Sequence, residues 1–250
     1  MENEKSPIIQ PGSTIGMVGG GQLGRMFAVA ASSMGFRVII LCDDPDAPAA
    51  QVAHATVIGQ LDDAQAVESF AKQCDVITLE FENIPAETIA QCSQHAPTYP
   101  SAQVLATAQN RLIEKSTLRN AGLPVTPFES VQDLASLEKA ADELGWPMIV
   151  KTATSGYDGK GQSKVSSLDE ASNIDWSACD SWIAEKCIDF ELEVSVVVAR
   201  TVEGKMSAFP VFENAHRNHI LDISVAPAGI SESLAREAIQ IAKSASETLD

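Results

Sequence analysis

A lysine and a glycine-rich loop follow one apolar run in the second half of the chain. The run predicts a strand that ends at Lys151, and a second strand starts near Gln162. The polar loop between them contains three glycines, Gly156, Gly159 and Gly161. Backbone N–H groups of such a loop, with a lysine at a strand end, can surround the oxygens of a polyphosphate. The pattern GxxxxGK[ST] followed by a helix is absent, so the loop is not a P-loop.

Two glutamates lie further along the chain, beside two more apolar runs. Glu185 follows one run, and Glu193 opens a strongly β-branched one. A strand end with a short linker, here Cys187-Ile188, can offer N–H and C=O groups to an adenine edge, while Glu193 reaches the ribose hydroxyls. Both glutamates also fit surface carboxylates at strand ends, and the residues alone leave the two interpretations open.

A different glycine cluster lies near the start of the chain, where Gly19, Gly21 and Gly24 fit the pattern GxGxxG. It directly follows an apolar run and opens a helical pattern, so the helix N-terminus offers N–H groups to an anion. Three interpretations stay open: a dinucleotide site supported by Asp43 and Asp44, a site for one phosphate of a smaller substrate, and a purely structural turn.

The elements that must position these residues change in character along the chain. Short apolar runs alternate with helical patterns over residues 12–105, which predicts a doubly wound α/β unit with a parallel sheet. Residues 107–145 show helical patterns, interrupted by GLPVTP. From residue 146, consecutive β-like runs predict an antiparallel α+β unit, which ends in an amphipathic helix over residues 231–248.

Composition restricts the class of protein. The 250 residues are 45% hydrophobic and 20% charged, which is typical of a globular chain. A net charge of −17, from 17 Lys and Arg against 34 Asp and Glu, repels nucleic-acid phosphates. Five scattered cysteines favour reduced thiols, and no run is apolar enough for a secretory signal or a membrane span. We therefore expect a cytoplasmic protein without nucleic-acid or membrane partners.

A possible metal pattern is incomplete. His216 and His219 form HxxH, but no third ligand follows at a suitable spacing. We therefore expect no zinc site, and we expect residues 213–217 to form a loop.

Five segments together resemble the 5-(carboxyamino)imidazole ribonucleotide synthases, a family of ATP-grasp ligases in purine biosynthesis. These segments are GGGQLGRM, TLEFENI, NRLIEKSTLRNAGLPVTP, VKTATSGYDGKGQ and AEKCIDFELEVSVVVAR. The resemblance implies a pre-ATP-grasp domain over residues 12–105 and an ATP-grasp domain over residues 106–250. The second domain would comprise linker helices (107–145), a phosphate-flap subdomain (146–185) and the start of a C-terminal lobe (186–250).

The resemblance also implies an activity. The enzyme would carboxylate 5-aminoimidazole ribonucleotide with bicarbonate and ATP through carboxyphosphate, releasing ADP and phosphate, and it would work as a homodimer. Three alternatives stay open: an ATP-grasp ligase for another ribonucleotide or amine, an NAD-binding oxidoreductase fragment, and a non-catalytic nucleotide sensor. The oxidoreductase would explain only the first part of the chain.

Matched position by position, the resemblance implies roles for three sets of residues. The ATP-binding set is Arg111, Lys151, Gly156, Tyr157, Asp158, Gly159, Lys160, Gly161, Gln162, Glu185, Lys186, Cys187, Ile188, Glu193 and His216. The ribonucleotide-binding set is Gln22, Leu23, Glu80, Tyr157 and Lys160. The catalytic set, which would face the ribonucleotide and bicarbonate, is Tyr157, Asp158 and Lys160.

The Mg²⁺ ligands of this family lie beyond the position that matches Asp250. We therefore expect no metal ligand within the chain, and we expect the chain to be part of a longer polypeptide. Mg²⁺ neutralises charge that develops during phosphoryl transfer, so these 250 residues alone should show little activity.

Overall fold

The computed structural model describes residues 8–156, 160–218 and 220–249. The chain divides into two compact units, Met1–Ala108 and Gln109–Asp250. Among the described helices, none has both the length and the apolar character needed to cross a membrane.

The first unit contains four parallel strands with helices on both faces, which confirms the predicted doubly wound fold. Its elements are β1 (Thr14–Val18), α1 (Gln22–Ser33), β2 (Arg37–Cys42), β3 (Ala55–Ile58), α2 (Ala64–Ala71), β4 (Val76–Leu79), α3 (Ala86–Cys92) and α4 (Ala102–Ala108). The strand order is β3-β2-β1-β4.

Strand β2 shows why this sheet is covered on both faces, since all of its residues after Arg37 are buried. Val38 and Ile40 pack in a cluster with α1, whereas Ile39 and Leu41 pack in a second cluster with α2, α3 and α4. Both faces of the sheet are thus filled by apolar side chains. Polar groups that act on a ligand must therefore lie where the strands end.

The second unit is built on antiparallel pairing. Its elements are α5 (Arg111–Asn120), β5 (Phe128–Val131), α6 (Leu134–Leu144), β6 (Met148–Thr152), β7 (Gln162–Val165), α7 (Leu168–Ala171), β8 (Trp182–Lys186), β9 (Glu193–Ser195), β10 (Val198–Arg200), β11 (Met206–Ala208), β12 (Phe212–Arg217), β13 (Ile220–Val225) and α8 (Glu232–Thr248). The described strands form three sheets, ordered β5-β8-β6-β7, β13-β12-β9 and β10-β11.

The four-stranded sheet packs one face on a buried apolar cluster, and its other face carries Lys151 and Glu185. Met148 and Val150 of β6 and Ala184 of β8 lie in a buried cluster with Leu137 of α6. Successive side chains of a strand point to opposite faces, so Lys151 points away from that cluster. Ile149 pairs with Glu185, which places Glu185 on the same face as Lys151.

Two expectations about local structure are wrong. Residues 128–131 form β5 within a segment predicted as helical, because they pair with β8 after a proline-containing turn. Residues 213–217 belong to β12 and do not form a loop. This strand has weak apolar alternation, but β9 and β13 hydrogen-bond to it on either side, and that pairing determines its conformation.

The core of the second unit can be tested at Leu137, which is fully buried. Leu137→Ala leaves a cavity under the four-stranded sheet, so we expect a loss of about 2–5 kcal/mol in the free energy of unfolding. Urea unfolding followed by tryptophan fluorescence measures it, because all three tryptophans lie in this unit. Leu234→Ala at an exposed position of α8 is the matched control, with an expected change within about 0.5 kcal/mol. Equal losses in the two variants would contradict this assignment of the core.

Candidate functional site

Three strands of the first unit end beside one pocket. The carboxyl ends of β1, β2 and β4 lie at the same edge of the parallel sheet and lead into Gly19, Asp43 and Glu80 respectively. These residues line a pocket of about 430 Å³. Leu23 of α1 also lines it, whereas Gln22 is not among the lining residues. The structure thus brings together Leu23 and Glu80 of the set predicted for the ribonucleotide.

The carboxylate of Glu80 occupies the glycine turn itself. The N–H groups of Gly21 and Gly24 donate hydrogen bonds to its two oxygens at 2.6 and 2.9 Å. This arrangement requires glycine, since a Cβ on Gly21 would lie 2.6 Å from Oε1 of Glu80. Gly19 adopts φ +111°, and a Cβ there would lie 2.8 Å from the Cβ of Glu80. A bound phosphate or pyrophosphate would have to compete with this carboxylate for both amides.

The charge around the pocket also disfavours a phosphate at this turn. Asp43, Asp44 and Glu80 line it, and its described lining includes no lysine or arginine. Oriented amides favour an anion, but here a carboxylate of the protein already supplies it. The geometry therefore argues against a dinucleotide pyrophosphate at this turn.

In the second unit, Glu185 lies between two lysines. Only 6% of the residue is exposed. Lys151 Nζ lies 2.8 Å from Oε2, and Lys115 Nζ lies 3.2 Å from Oε1. Burial raises the pKa of Glu185, but the hydrogen bond and charge of Lys151 and the charge of Lys115 outweigh it, so the pKa is lowered overall. Glu185 is therefore a charged carboxylate that holds two cations in place.

Lys115 is a site residue that the sequence reasoning missed. It lies on α5, one helical turn after Arg111, in the i, i+4 relation that puts two side chains on the same side of a helix. Because Arg111 was expected to contact phosphates, that spacing was the signal that could have identified Lys115.

Arg111 binds backbone carbonyls at the base of the glycine hairpin. Its guanidinium donates to the carbonyl oxygens of Thr152, Ser155 and Gly156 at 2.9, 2.6 and 3.2 Å. Its own N–H donates to the carbonyl of Ala153. Arg111 thus fixes the point at which the chain leaves β6 and enters the hairpin.

The hairpin joins antiparallel neighbours β6 and β7, as predicted. Gly156 and Gly161 have φ of +79° and +73°, and a Cβ on Gly156 would lie 2.7 Å from the carbonyl oxygen of Lys160. Any other residue at these two positions would strain the backbone, so the base of the hairpin needs glycine. Tyr157, Asp158 and Gly159, which carry most of the predicted catalytic and flap roles, lie outside the described residues.

A larger cleft of about 920 Å³ lies beside this sheet. It is lined by Gln162 at the start of β7, by Glu193 of β9 and by His216 of β12. His216 Nδ1 lies 3.5 Å from Oε1 of Glu193. The structure therefore brings together three residues that the resemblance assigned to ATP, although they lie far apart in sequence.

The residues predicted for the adenine edge continue from β8. The N–H of Lys186 donates to the carbonyl of Pro127, and the N–H of Cys187 donates to that of Pro147. Those two donors are already engaged within the protein, so an adenine edge would have to use other backbone groups of the linker. Ile188, the last residue of the predicted set, is 45% exposed.

Comparison with known families matches both units. The ATP-grasp domain family matches residues 116–250, and the ribonucleotide synthetase preATP-grasp domain family matches residues 12–109. The N5-carboxyaminoimidazole ribonucleotide synthase of Staphylococcus aureus (strain COL) is 40% identical over 225 residues, which is 88% of this chain and 59% of the relative.

Two solved structures are similar in fold and sequence. One is the ADP complex of purK, an N5-carboxyaminoimidazole ribonucleotide synthetase, with a TM-score of 0.92 and 43% identity over 97% of this chain and 64% of that one. The other is the synthase of Aspergillus clavatus with ADP and 5-aminoimidazole ribonucleotide, with a TM-score of 0.87 and 29% identity over 96% and 64%.

This chain thus spans 59% to 64% of the length of these three relatives. The matched domain families cover nearly all of the described residues, in the order seen in the two units. The chain therefore belongs to the ATP-grasp family, with a ribonucleotide synthetase preATP-grasp domain ahead of its ATP-grasp domain.

Proposed function

We propose that this chain carries the ATP-binding and much of the ribonucleotide-binding part of an enzyme that carboxylates 5-aminoimidazole ribonucleotide. Bicarbonate attacks the γ-phosphoryl group of ATP, giving carboxyphosphate and ADP. The exocyclic amine of the ribonucleotide then takes up the carboxyl group, and phosphate leaves. This proposal rests on the relatives, which are carboxyaminoimidazole ribonucleotide synthases, one of them solved with ADP and one with ADP and the ribonucleotide.

The observation that carries the nucleotide part is the cation pair on the face of the four-stranded sheet opposite its apolar cluster. Lys151 and Lys115 share one buried carboxylate, so the group of three has a net charge of one positive unit beside the glycine hairpin. Cations fixed in advance stabilise phosphate oxygens without reorganisation at the moment of binding. We assign the phosphates to this face, the ribose to Glu193 and the adenine to residues 185–188.

The observation that carries the acceptor part is the carboxylate in the glycine turn of the first unit. Because Glu80 already receives the amides of Gly21 and Gly24, its remaining acceptor capacity suits a hydroxyl or amine of the ribonucleotide. A phosphate at this turn would meet Glu80, Asp43 and Asp44 together. We therefore assign the ribose or the amine of the substrate to Glu80, and its phosphate to groups elsewhere.

The catalytic roles of Tyr157, Asp158 and Lys160 remain part of the proposal on the strength of the resemblance. So do a homodimer, a cytoplasmic location and a requirement for Mg²⁺. The described residues contain no group of three or more His, Cys, Asp or Glu side chains that could hold a metal ion.

The nucleotide assignment is tested by ADP binding to the chain. Lys151→Met removes a charge-assisted donor at the proposed phosphate position, so we expect ADP to bind about tenfold more weakly or worse. Isothermal titration calorimetry measures this change. Lys139→Met on the exposed side of α6 removes the same charge and should leave the ADP affinity unchanged. Unaltered ADP binding by Lys151→Met would refute the assignment.

The acceptor assignment is tested by Glu80→Gln. The variant keeps the shape of the side chain but loses the negative charge, so we expect 5-aminoimidazole ribonucleotide to bind about tenfold more weakly. ADP binding should not change, because the nucleotide groups belong to the other unit. Glu87→Gln at an exposed position of α3 is the matched control in titrations with both ligands. Full ribonucleotide affinity in Glu80→Gln would argue against the assignment.

A further inference from the structure

Three elements of the second unit meet at one carboxylate. Glu185 comes from β8, Lys151 from β6 and Lys115 from α5. Each oxygen of the carboxylate faces a different lysine, at 2.8 Å for Lys151 and 3.2 Å for Lys115. Both lysine side chains are themselves largely covered, with 26% and 20% of their surface exposed. The contact is therefore a partly buried network and not a solvated surface pair.

Lys115 is the only described neighbour that compensates the buried Oε1 of Glu185. That oxygen is shielded from solvent and has no hydrogen-bond partner among the described residues, so the ion pair with Lys115 at 3.2 Å is its compensation. A buried carboxylate oxygen without a counter-charge is costly. If Lys115 were neutral, the carboxylate would be more stable with both oxygens turned toward Lys151. Glu185 would then occupy the N–H donors of Lys151 that a phosphate needs.

Lys115 lies beside an aromatic ring that a second cation also contacts. Its ammonium lies 6.0 Å from the centre of the Phe128 ring, and the guanidinium of Arg119 lies 4.5 Å from the same ring. Phe128 pairs directly with Glu185 across β5 and β8. Glu114 of α5 interacts electrostatically with Lys115, Glu185 and Arg111, and burial raises the pKa of Glu114.

We propose that Lys115 is a positioning residue of the nucleotide site. It holds one oxygen of Glu185 and thereby leaves Lys151 with N–H donors for a phosphate group. This inference rests on the proposed nucleotide function, because a nucleoside diphosphate or triphosphate is the ligand that the cluster would receive.

The inference predicts a specific pattern of ADP affinities, measured by isothermal titration calorimetry. Lys115→Met should weaken ADP binding about tenfold, since one charge-assisted contact is lost from the network. Lys115→Arg should restore the affinity to within about threefold, because it keeps the charge. Lys139→Met is again the control with an equal change of charge. Adenosine, which has no phosphate, should bind Lys115→Met as it binds the unaltered chain, measured by saturation-transfer NMR.

A double-mutant cycle with Glu185→Gln separates positioning from direct contact. If Lys115 acts through Glu185, then adding Lys115→Met to Glu185→Gln should change ADP affinity by less than about twofold. A loss of more than about twofold in that background would overturn the inference, because Lys115 would then act on the nucleotide independently of Glu185. Thermal unfolding by circular dichroism checks that each variant is folded. If Lys115→Met does not fold, Lys115→Gln serves as a second neutral variant.

The two proposals fail in different ways. If the unaltered chain binds neither ADP nor ATP, the nucleotide function is wrong and the inference about Lys115 falls with it. If the unaltered chain binds ADP and Lys115→Met binds it equally well, only the inference about Lys115 is overturned.

Discussion

Glu185 remains charged although only 6% of the residue is exposed, and it does so because two lysines each approach one of its oxygens. Removing a carboxylate from water costs several kcal/mol unless partners of opposite charge replace the solvent. The contact therefore requires α5, β6 and β8 to be held in one relative arrangement. The apolar cluster on the opposite face of the sheet, between the strands and α6, holds β6 and β8 together, and the hydrogen bonds of Arg111 to the carbonyls of Thr152 and Ala153 attach the start of α5 to the end of β6. Core packing on one face thus fixes the strands that carry Lys151 and Glu185 on the other face.

The first unit also surrounds a carboxylate with donors, but here they are backbone N–H groups and not lysines. Its glycine turn presents N–H groups at the start of α1, and the carboxylate of Glu80 receives two of them. The turn is consequently occupied by the protein before any ligand arrives. In both units a carboxylate at a strand end orders the groups around it, so the cost of ordering is met during folding and not during binding.

Particular residues show how far the sequence could be interpreted. The run Arg37–Cys42 predicts a strand buried on both faces because it is apolar from Val38 onward, and the structure agrees. The glycines at 156 and 161 predict a hairpin between two strands, because left-handed backbone at a close approach favours glycine. By contrast, residues 128–131 and 213–217 carry short or mixed patterns, and their strands exist because neighbouring strands pair with them. Local propensity in such segments is too weak to decide the conformation.

The sequence by itself determined the two kinds of unit, the glycine turns and most of the residues that resemble a known ligase, because these depend on periodicity, backbone freedom and residue type at fixed spacings. Only the tertiary structure decided that Glu80 fills the first turn and that Lys115 joins Lys151 at Glu185. Glu80 is more than 50 positions from the glycines whose N–H groups it accepts, and Glu185 is 34 positions from Lys151. An ion pair or hydrogen bond between residues so far apart in sequence depends on their distance in space and on the exclusion of water. No local sequence pattern encodes either.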